Sequence, residues 1–238
     1  MDFIELYNLP GMAGRPKGLI KLINLVSRRM GFNYELTKIP DGKLHMHTVE
    51  QRMNFATLAS CNLAYDVPGE WAEFGCYNGQ SAMVFQKMLD EFRPGKKMKL
   101  YDSFTAKYEL QQDIKESLLQ NFKQNGLGTP DLIEGNFFDT VPNQLVDQYS
   151  LVHIDCGVGG DAELHQRIII HLLNNVYHRL SKGAIVLFMD YHDSEKTLRG
   201  QPINIGVKAA CDQFFNDKAE KVITLNGNHY SHGYIIKT

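Results

Sequence analysis

The chain of 238 residues has no surplus of positive charge. Its 25 Lys and Arg stand against 27 Asp and Glu, a formal net charge of −2. A nucleic-acid or anionic-membrane surface needs Lys and Arg to neutralise phosphates, so neither partner is expected. No apolar stretch approaches the ~20 residues that cross a bilayer. The opening Met1-Asp2-Phe3-Ile4-Glu5 carries an early acid and no basic segment, so no secretory leader is expected. Cysteine is scarce and scattered. Cys61, Cys76, Cys156 and Cys211 form no Cys-x-x-Cys pair, which points to reduced thiols in the cytoplasm and away from a disulfide scaffold or zinc site. The Gly-x-Gly-x-x-Gly signature of dinucleotide sites is also missing, which argues against a nicotinamide-dependent oxidoreductase.

What is present is an ordinary globular balance, 43% hydrophobic and 22% charged. Residues 17–30 carry Leu19, Ile20, Leu22, Ile23, Val26 and Met30 at helical spacing, with Lys17, Lys21, Arg28 and Arg29 around them. That pattern predicts an amphipathic helix packed on a core or on a second subunit. Pro40-Asp41-Gly42 is a turn signal, and His45 and His47 after it read as solvated loop residues. Thr48-Val49-Glu50-Gln51 predicts a capping box opening a helix to Tyr65.

From Val67 onward, strands and helices alternate. Strands are expected at the run ending in Glu73 and Phe74, at 97–101, 131–134, 149–154 and 184–189, and as a final pair at 221–225 and 230–236. Helices are expected at 82–92, 109–125, 140–148, 163–180 and 205–215. Apolar strands separated by helices imply a parallel sheet covered on both faces. Asn226-Gly227 predicts a tight hairpin, which makes the last strand antiparallel. The expected class is α/β: a Rossmann-like sheet of seven strands, mostly parallel, with helices on both faces. Residues 1–66 read as an N-terminal helical extension and 67–238 as the catalytic domain.

The acids fall at strand ends. Glu73, Asp102, Asp155 and Asp190 each close a strand, and ligands of such sheets bind at the carboxyl ends. Glu73-x-Gly75-x-x-x-Gly79, leading into Gln80 and Ser81, reads as a strand–turn–helix entry where backbone can approach a ligand. Asp102 ends the second strand, where a carboxylate can accept from both hydroxyls of a ribose. Asp155 and Asp190 should converge from adjacent strands, and a hard divalent cation would relieve their repulsion. His192 and Asp193 follow closely, as a metal ligand or a general base.

These segments resemble the TylF/MycF-like (macrocin O-methyltransferase) family of S-adenosylmethionine-dependent methyltransferases over residues 50–238. The likeness rests on seven segments in order: 67–79, Tyr101-Asp102-Ser103-Phe104, 135–142, Val152-His153-Ile154-Asp155, 180–184, Asp190-Tyr191 and 206–215. It implies a class I methyltransferase sheet, S-adenosylmethionine as cofactor and a divalent metal, usually Mg²⁺. On that likeness Glu73, Gly75, Cys76, Tyr77, Asn78, Gly79 and Ser81 hold the methionine end. Asp102 and Ser103 hold the ribose. Asn136 with Phe137 or Phe138 borders the adenine, Asp155 also borders the cofactor, and Asp155 and Asp190 hold the metal. Two positions depart from the family pattern: Gly157 and Met189 stand where it carries acids. The function implied is metal-assisted O-methylation of a sugar or related small-molecule hydroxyl in natural-product or surface-glycan biosynthesis. Asp155, His192 and Asp193 are the candidate catalytic groups, with Asp161 a further base. A metal-independent enzyme acting on a non-sugar metabolite, or a non-catalytic cofactor-binding protein, remains open, as does a homo-oligomer.

Overall fold

A computed structural model describes residues 18–32, 47–93, 95–105, 113–157, 160–196, 204–227 and 230–238. The chain divides into two compact units, 1–46 and 47–238. In the first, α1 (Leu19–Arg29) matches the amphipathic pattern, with Gly18 at its N-cap. His45 and the 40–42 turn lie outside the described residues.

The second unit is built on β1 (Glu70–Phe74), β2 (Met98–Asp102), β3 (Asp131–Glu134), β4 (Tyr149–Ile154), β5 (Leu180–Phe188), β6 (Ile223–Gly227) and β7 (Tyr230–Ile236). They form one sheet in the order β3-β2-β1-β4-β5-β7-β6. The first five strands pair in parallel, and β7 runs antiparallel to both β5 and β6. This is the expected class I methyltransferase sheet with its reversed last strand. The helices are α2 (Val49–Ala64), α3 (Gln80–Phe92), α4 (Ile114–Gln124), α5 (Phe137–Thr140), α6 (Ala162–Val176) and α7 (Ile205–Phe214). No described helix is long and apolar enough to cross a membrane.

Alternation along the strands sorts the core into two layers. Ala72 and Phe74 of β1, with Val152 and Ile154 of β4, join the cluster that packs against α6 and α7. Trp71 and His153 face the other way, onto a layer of rings that includes Phe55 of α2 and Phe85 of α3. Four hydrogen bonds lock that layer's outer edge. Trp71 Nε1 donates to Asn62 Oδ1 (3.0 Å), Asn62 Nδ2 donates to the Ser150 carbonyl (2.7 Å), and Lys96 reaches the carbonyls of Val67 and Gly69.

Element boundaries differ from expectation in three places. A helix at 140–148 does not form. Its short helix lies earlier, capped by Asn136, whose side chain accepts from Phe138 N (2.9 Å). The 163–180 helix ends at Val176 in a short 3₁₀ turn, because Leu180 already pairs with Tyr149 as the start of β5. Asn226 and Gly227 sit inside β6, opposite Ser231 and Tyr230, so the hairpin turn itself falls outside the described residues. Residues 106–112, the start of the 109–125 helix, also lie outside them.

Candidate active site

The first loop owes its shape to glycine. Gly75 adopts φ 85°, and a Cβ there would overlap the carbonyl oxygen of Asp155 and lie 2.7 Å from its carbon. Its amide donates to the Tyr101 carbonyl (2.8 Å), while Asp155 N donates to the Phe74 carbonyl (2.9 Å). The ends of β1, β2 and β4 are thereby stitched side by side. Gly79, at φ 83°, caps α3 without a side chain and lets Leu118 and Phe122 of α4 press close.

Asp102 organises the loop. Its Oδ2 accepts from Cys76 N (2.8 Å) and Tyr77 N (2.9 Å), and its Oδ1 accepts from Phe104 N (2.8 Å). A carboxylate has about four lone-pair sites, so room is left for a ligand hydroxyl. Beside it opens a cleft of about 260 Å³. Of the residues expected at the cofactor, Gly75, Tyr77, Asp102, Ser103, Asn136, Phe137 and Asp155 line it, and Phe138 lines it too. Glu73, Cys76, Asn78, Gly79 and Ser81 do not line it. Sequence reasoning missed Leu164 and Ile168, the apolar face of α6 that completes the wall.

Glu73 is fully buried. Its Oε1 accepts from Ser81 Oγ and from His153 Nδ1 (2.7 Å), while Oε2 has no partner. Glu73 and His153 are register partners across β1 and β4. Burial pulls His153 down, but the hydrogen bond and charge of Glu73, with Asp155 and Asp190 adding, leave it raised.

Asp155 has a partner that the sequence did not suggest. His47 Nε2 lies 3.0 Å from its Oδ2, and the histidine side chain is only 7% exposed. The expectation of a solvated His47 is therefore wrong. The capping box at Thr48 fixes the chain just after it, with Thr48 Oγ1 donating to the Gly227 carbonyl (2.7 Å), and Arg52 holds the His47 carbonyl (3.2 Å). Burial pushes Asp155 up, yet the His47 hydrogen bond and charge, then His153 and His165, leave it lowered. Asp190 behaves oppositely. Burial and the charge of Asp155 push it up to about 6, against an Asn204 hydrogen bond of 2.6 Å.

The other expected bases are engaged elsewhere. His192 Nδ1 bonds Ser231 Oγ (2.9 Å), Asp193 pairs with Lys196 (3.1 Å), and Asp161 accepts from Leu164 N (3.0 Å) as the cap of α6. Buried His232, which abuts Phe55, is pushed down to about 3, chiefly by burial.

The donor set does not fit Mg²⁺, which wants near-octahedral oxygen ligation. Asp155 Oδ2 carries His47 and Asp190 Oδ2 carries Asn204. Among the described residues, the ligand-type side chains gathered within 4.8 Å are Glu73, His153 and Asp155. Two of these already bond one another, so the group is a charge-paired cluster.

Asp190 yields a pH prediction. Its folded pKa of about 6 lies above the ordinary 3.8, so the folded chain holds the proton more tightly. The stability Asp190 contributes is present below pH 3.8 and is lost as pH rises through about 6. Asp190→Asn is therefore expected to stabilise the fold at pH 8 by about 1–3 kcal/mol, each pKa unit being about 1.4 kcal/mol. Chemical denaturation at pH 8 and at pH 3.5 checks this; an equal gain at both values would refute it.

The sheet, with its last strand reversed, opens at the carboxyl ends of β1, β2 and β4 into a cleft rimmed by Asp102 and Asp155. The methyltransferase domain family matches residues 72–191, just over half the chain. The chain belongs to that family and is an S-adenosylmethionine-dependent methyltransferase. No curated protein sequence matches it. Solved structures share the fold. The O-methyltransferase NovP superposes with a TM-score of 0.64 at 19% identity, over 80% of each chain. The apo structure of CalS11, a TDP-rhamnose 3'-O-methyltransferase in calicheamicin biosynthesis, gives 0.59 at 19% identity, over 94% of this chain and 96% of that one. The Podospora anserina methyltransferase PaMTH1, bound to S-adenosylhomocysteine, gives 0.55 at 15% identity, over 95% and 100%.

Proposed function

We propose that the protein is an O-methyltransferase of the macrocin O-methyltransferase (TylF/MycF-like) kind. Its acceptor is a hydroxyl of a sugar or related small molecule in natural-product or surface-glycan biosynthesis, and it acts in the cytoplasm. The observation that carries this reading is the shared position of Asp102 and Asp155, both on one cleft at the carboxyl ends of β2 and β4, the two strands that flank β1. Support for oxygen as the acceptor atom comes from NovP and CalS11, which are described as O-methyltransferases, the latter on TDP-rhamnose. The segment before β1, residues 1–66, is assigned to acceptor or dimer contacts.

S-adenosylmethionine supplies an activated methyl group when bound. The chain's own tasks are alignment, exclusion of water and removal of the acceptor's proton. Asp102 holds the ribose edge, and Phe137 and Phe138 flank the base. Gly75 lets the loop lie flat against the cofactor, and Asp155 faces the acceptor end. Divalent-metal assistance at Asp155 and Asp190 is not part of this reading, because their carboxylates already carry His47 and Asn204.

Calorimetry with S-adenosylhomocysteine and NAD, followed by methyl transfer to a panel of sugar nucleotides and phenols, tests the reading. Asp102→Ala is expected to weaken S-adenosylhomocysteine about 10- to 100-fold, since hydrogen bonds to a charged group contribute about 1.5–3 kcal/mol. Binding of NAD in preference, or cofactor binding without transfer to any oxygen, would refute it.

A further inference from the structure

We propose that His171 of α6 is a positioning residue for the base of the cofactor: it clamps the α5 turn and so sets Phe137 and Phe138 as the wall on which adenine lies. This rests on the reading above that those two rings flank the base.

The turn requires an outside tie. α5 is a single turn, Phe137–Thr140. A lone turn fixes several dihedrals for very few hydrogen bonds, so it is unstable unless its surroundings hold it. Asn136 serves its start: the side chain accepts from Phe138 N (2.9 Å), and the carbonyl accepts from Thr140 Oγ1 (3.1 Å). His171 meets its far end. Nε2 of that ring lies 3.1 Å from the Val141 carbonyl oxygen and 3.3 Å from the Phe137 carbonyl oxygen. Carbonyl oxygens only accept, so Nε2 bears a hydrogen in either charge state of the ring and donates between the two. One side chain thus grips the first carbonyl of the turn and the carbonyl just past its end.

The same ring supports the wall directly. Its centroid is 4.8 Å from that of Phe138, at a tilt of 47°, which is contact range for aromatic pairs. Phe138 lines the cleft yet is 47% exposed, so little packing holds its ring in place. Phe137 is set through its main chain, since its carbonyl is one of the two that His171 holds, while its ring stands edge-on to Phe74 at 6.0 Å.

Helix geometry places the clamp. Leu164, Ile168 and His171 follow one another at spacings of four and three residues, so they share one face of α6. Leu164 and Ile168 line the cleft, and His171 does not. The stripe passes from cleft wall to turn clamp within one turn of helix. His171 therefore acts on the cofactor through Phe137 and Phe138, not by touching it. The base lies away from the methyl group and keeps the same surroundings during transfer. Its wall contributes uniform binding, so loss of the clamp should raise KM for S-adenosylmethionine and spare kcat.

Calorimetry with S-adenosylhomocysteine on wild type, His171→Ala, His171→Gln, Phe138→Ala and the His171→Ala, Phe138→Ala double variant tests this. Alanine and glutamine are good helix formers, so α6 should persist, and thermal melting checks it. His171→Ala is expected to weaken S-adenosylhomocysteine about 5- to 20-fold, the effect of losing one or two hydrogen bonds. His171→Gln keeps an N–H donor at similar reach and should return affinity to within about threefold of wild type. Phe138→Ala should weaken binding by itself. His171→Ala added to it should then cost clearly less than in wild type, because both act through one wall. KM for S-adenosylmethionine should rise with kcat held within about twofold. A residue serving the fold alone would lower the melting temperature and leave affinity unchanged. Losses that simply multiply in the double variant, or His171→Ala with wild-type affinity where Phe138→Ala is weakened, would overturn the clamp. Phe138→Ala with wild-type affinity would overturn the reading that the rings flank the base, and the clamp with it. Failure to methylate any hydroxyl would sink the O-methyltransferase reading alone, because the binding comparisons use no acceptor.

Discussion

Replacing Gly75 with alanine is expected to abolish S-adenosylhomocysteine binding and to destabilise the fold by several kcal/mol. Two independent penalties act at this one position. The backbone holds φ 85°, a region that costs a residue with a Cβ about 1–2 kcal/mol. The added carbon also has nowhere to go, since it meets the main chain of Asp155 and Cys156 and not a side chain that can swing aside. Relief requires β1 and β4 to part at their carboxyl ends, which breaks the Asp155 N to Phe74 carbonyl hydrogen bond and opens the cleft wall. Gly95, where an added Cβ meets nothing within 4 Å, is the control, and Gly95→Ala should be nearly neutral. Thermal unfolding and calorimetry of the two variants check this; a Gly75→Ala protein with unchanged melting and affinity would refute the tight-contact account.

His153→Leu should cost about 3–5 kcal/mol, the penalty for breaking a buried charge pair from one side. Both partners are fully buried, and the substitution leaves the Glu73 carboxylate with Ser81 alone. The loss should depend on pH in a defined sense. His153 is raised in the folded chain, so its contribution is fully present below the ordinary histidine range and fades as pH rises through its elevated folded value. The double change His153→Leu with Glu73→Gln should recover much of the stability, because the uncompensated charge is gone. Urea denaturation of wild type, the single and the double variant decides it. A single variant as stable as wild type would show that the pair contributes nothing.

Much of this architecture was legible in the residues. Each buried strand is a short apolar run bounded by turn chemistry, and a two-residue-scale connection between the last strands permits only an antiparallel pair. The strand-end acids were visible because each interrupts an apolar run. What could not be read was the partner of each acid. His47 and Asp155 are 108 residues apart, and nothing local to either marks the contact. A histidine between a turn and a helix cap looks solvated until the helix is docked on the sheet. The Glu73–His153 pair was closer to legible: both residues break buried strands, and an unpaired charge in such a strand demands a partner in its neighbour. The 140–148 helix failed for a different reason. The cap signal was Asn136, four residues before the expected start, and the chain after Thr140 turns to bring Tyr149 into the sheet.

Asp102 serves two ends with one carboxylate. Three backbone amides from two loops converge on it. On the proposed reading Asp102 also holds the ribose, so the shape of the first loop and that recognition would not vary independently. A glutamate, one methylene longer, would draw the oxygens off the amides before it could reach a larger sugar. A synthetic analogue with an altered ribose is thus a poor target for redesign from this side. An analogue altered at the base is a better one on the proposed reading, because Phe138 is half exposed and Phe137 is only partly buried, edge-on to Phe74. On that reading, selectivity for modified cofactors is open to engineering beside Phe137 and Phe138 and closed beside Asp102.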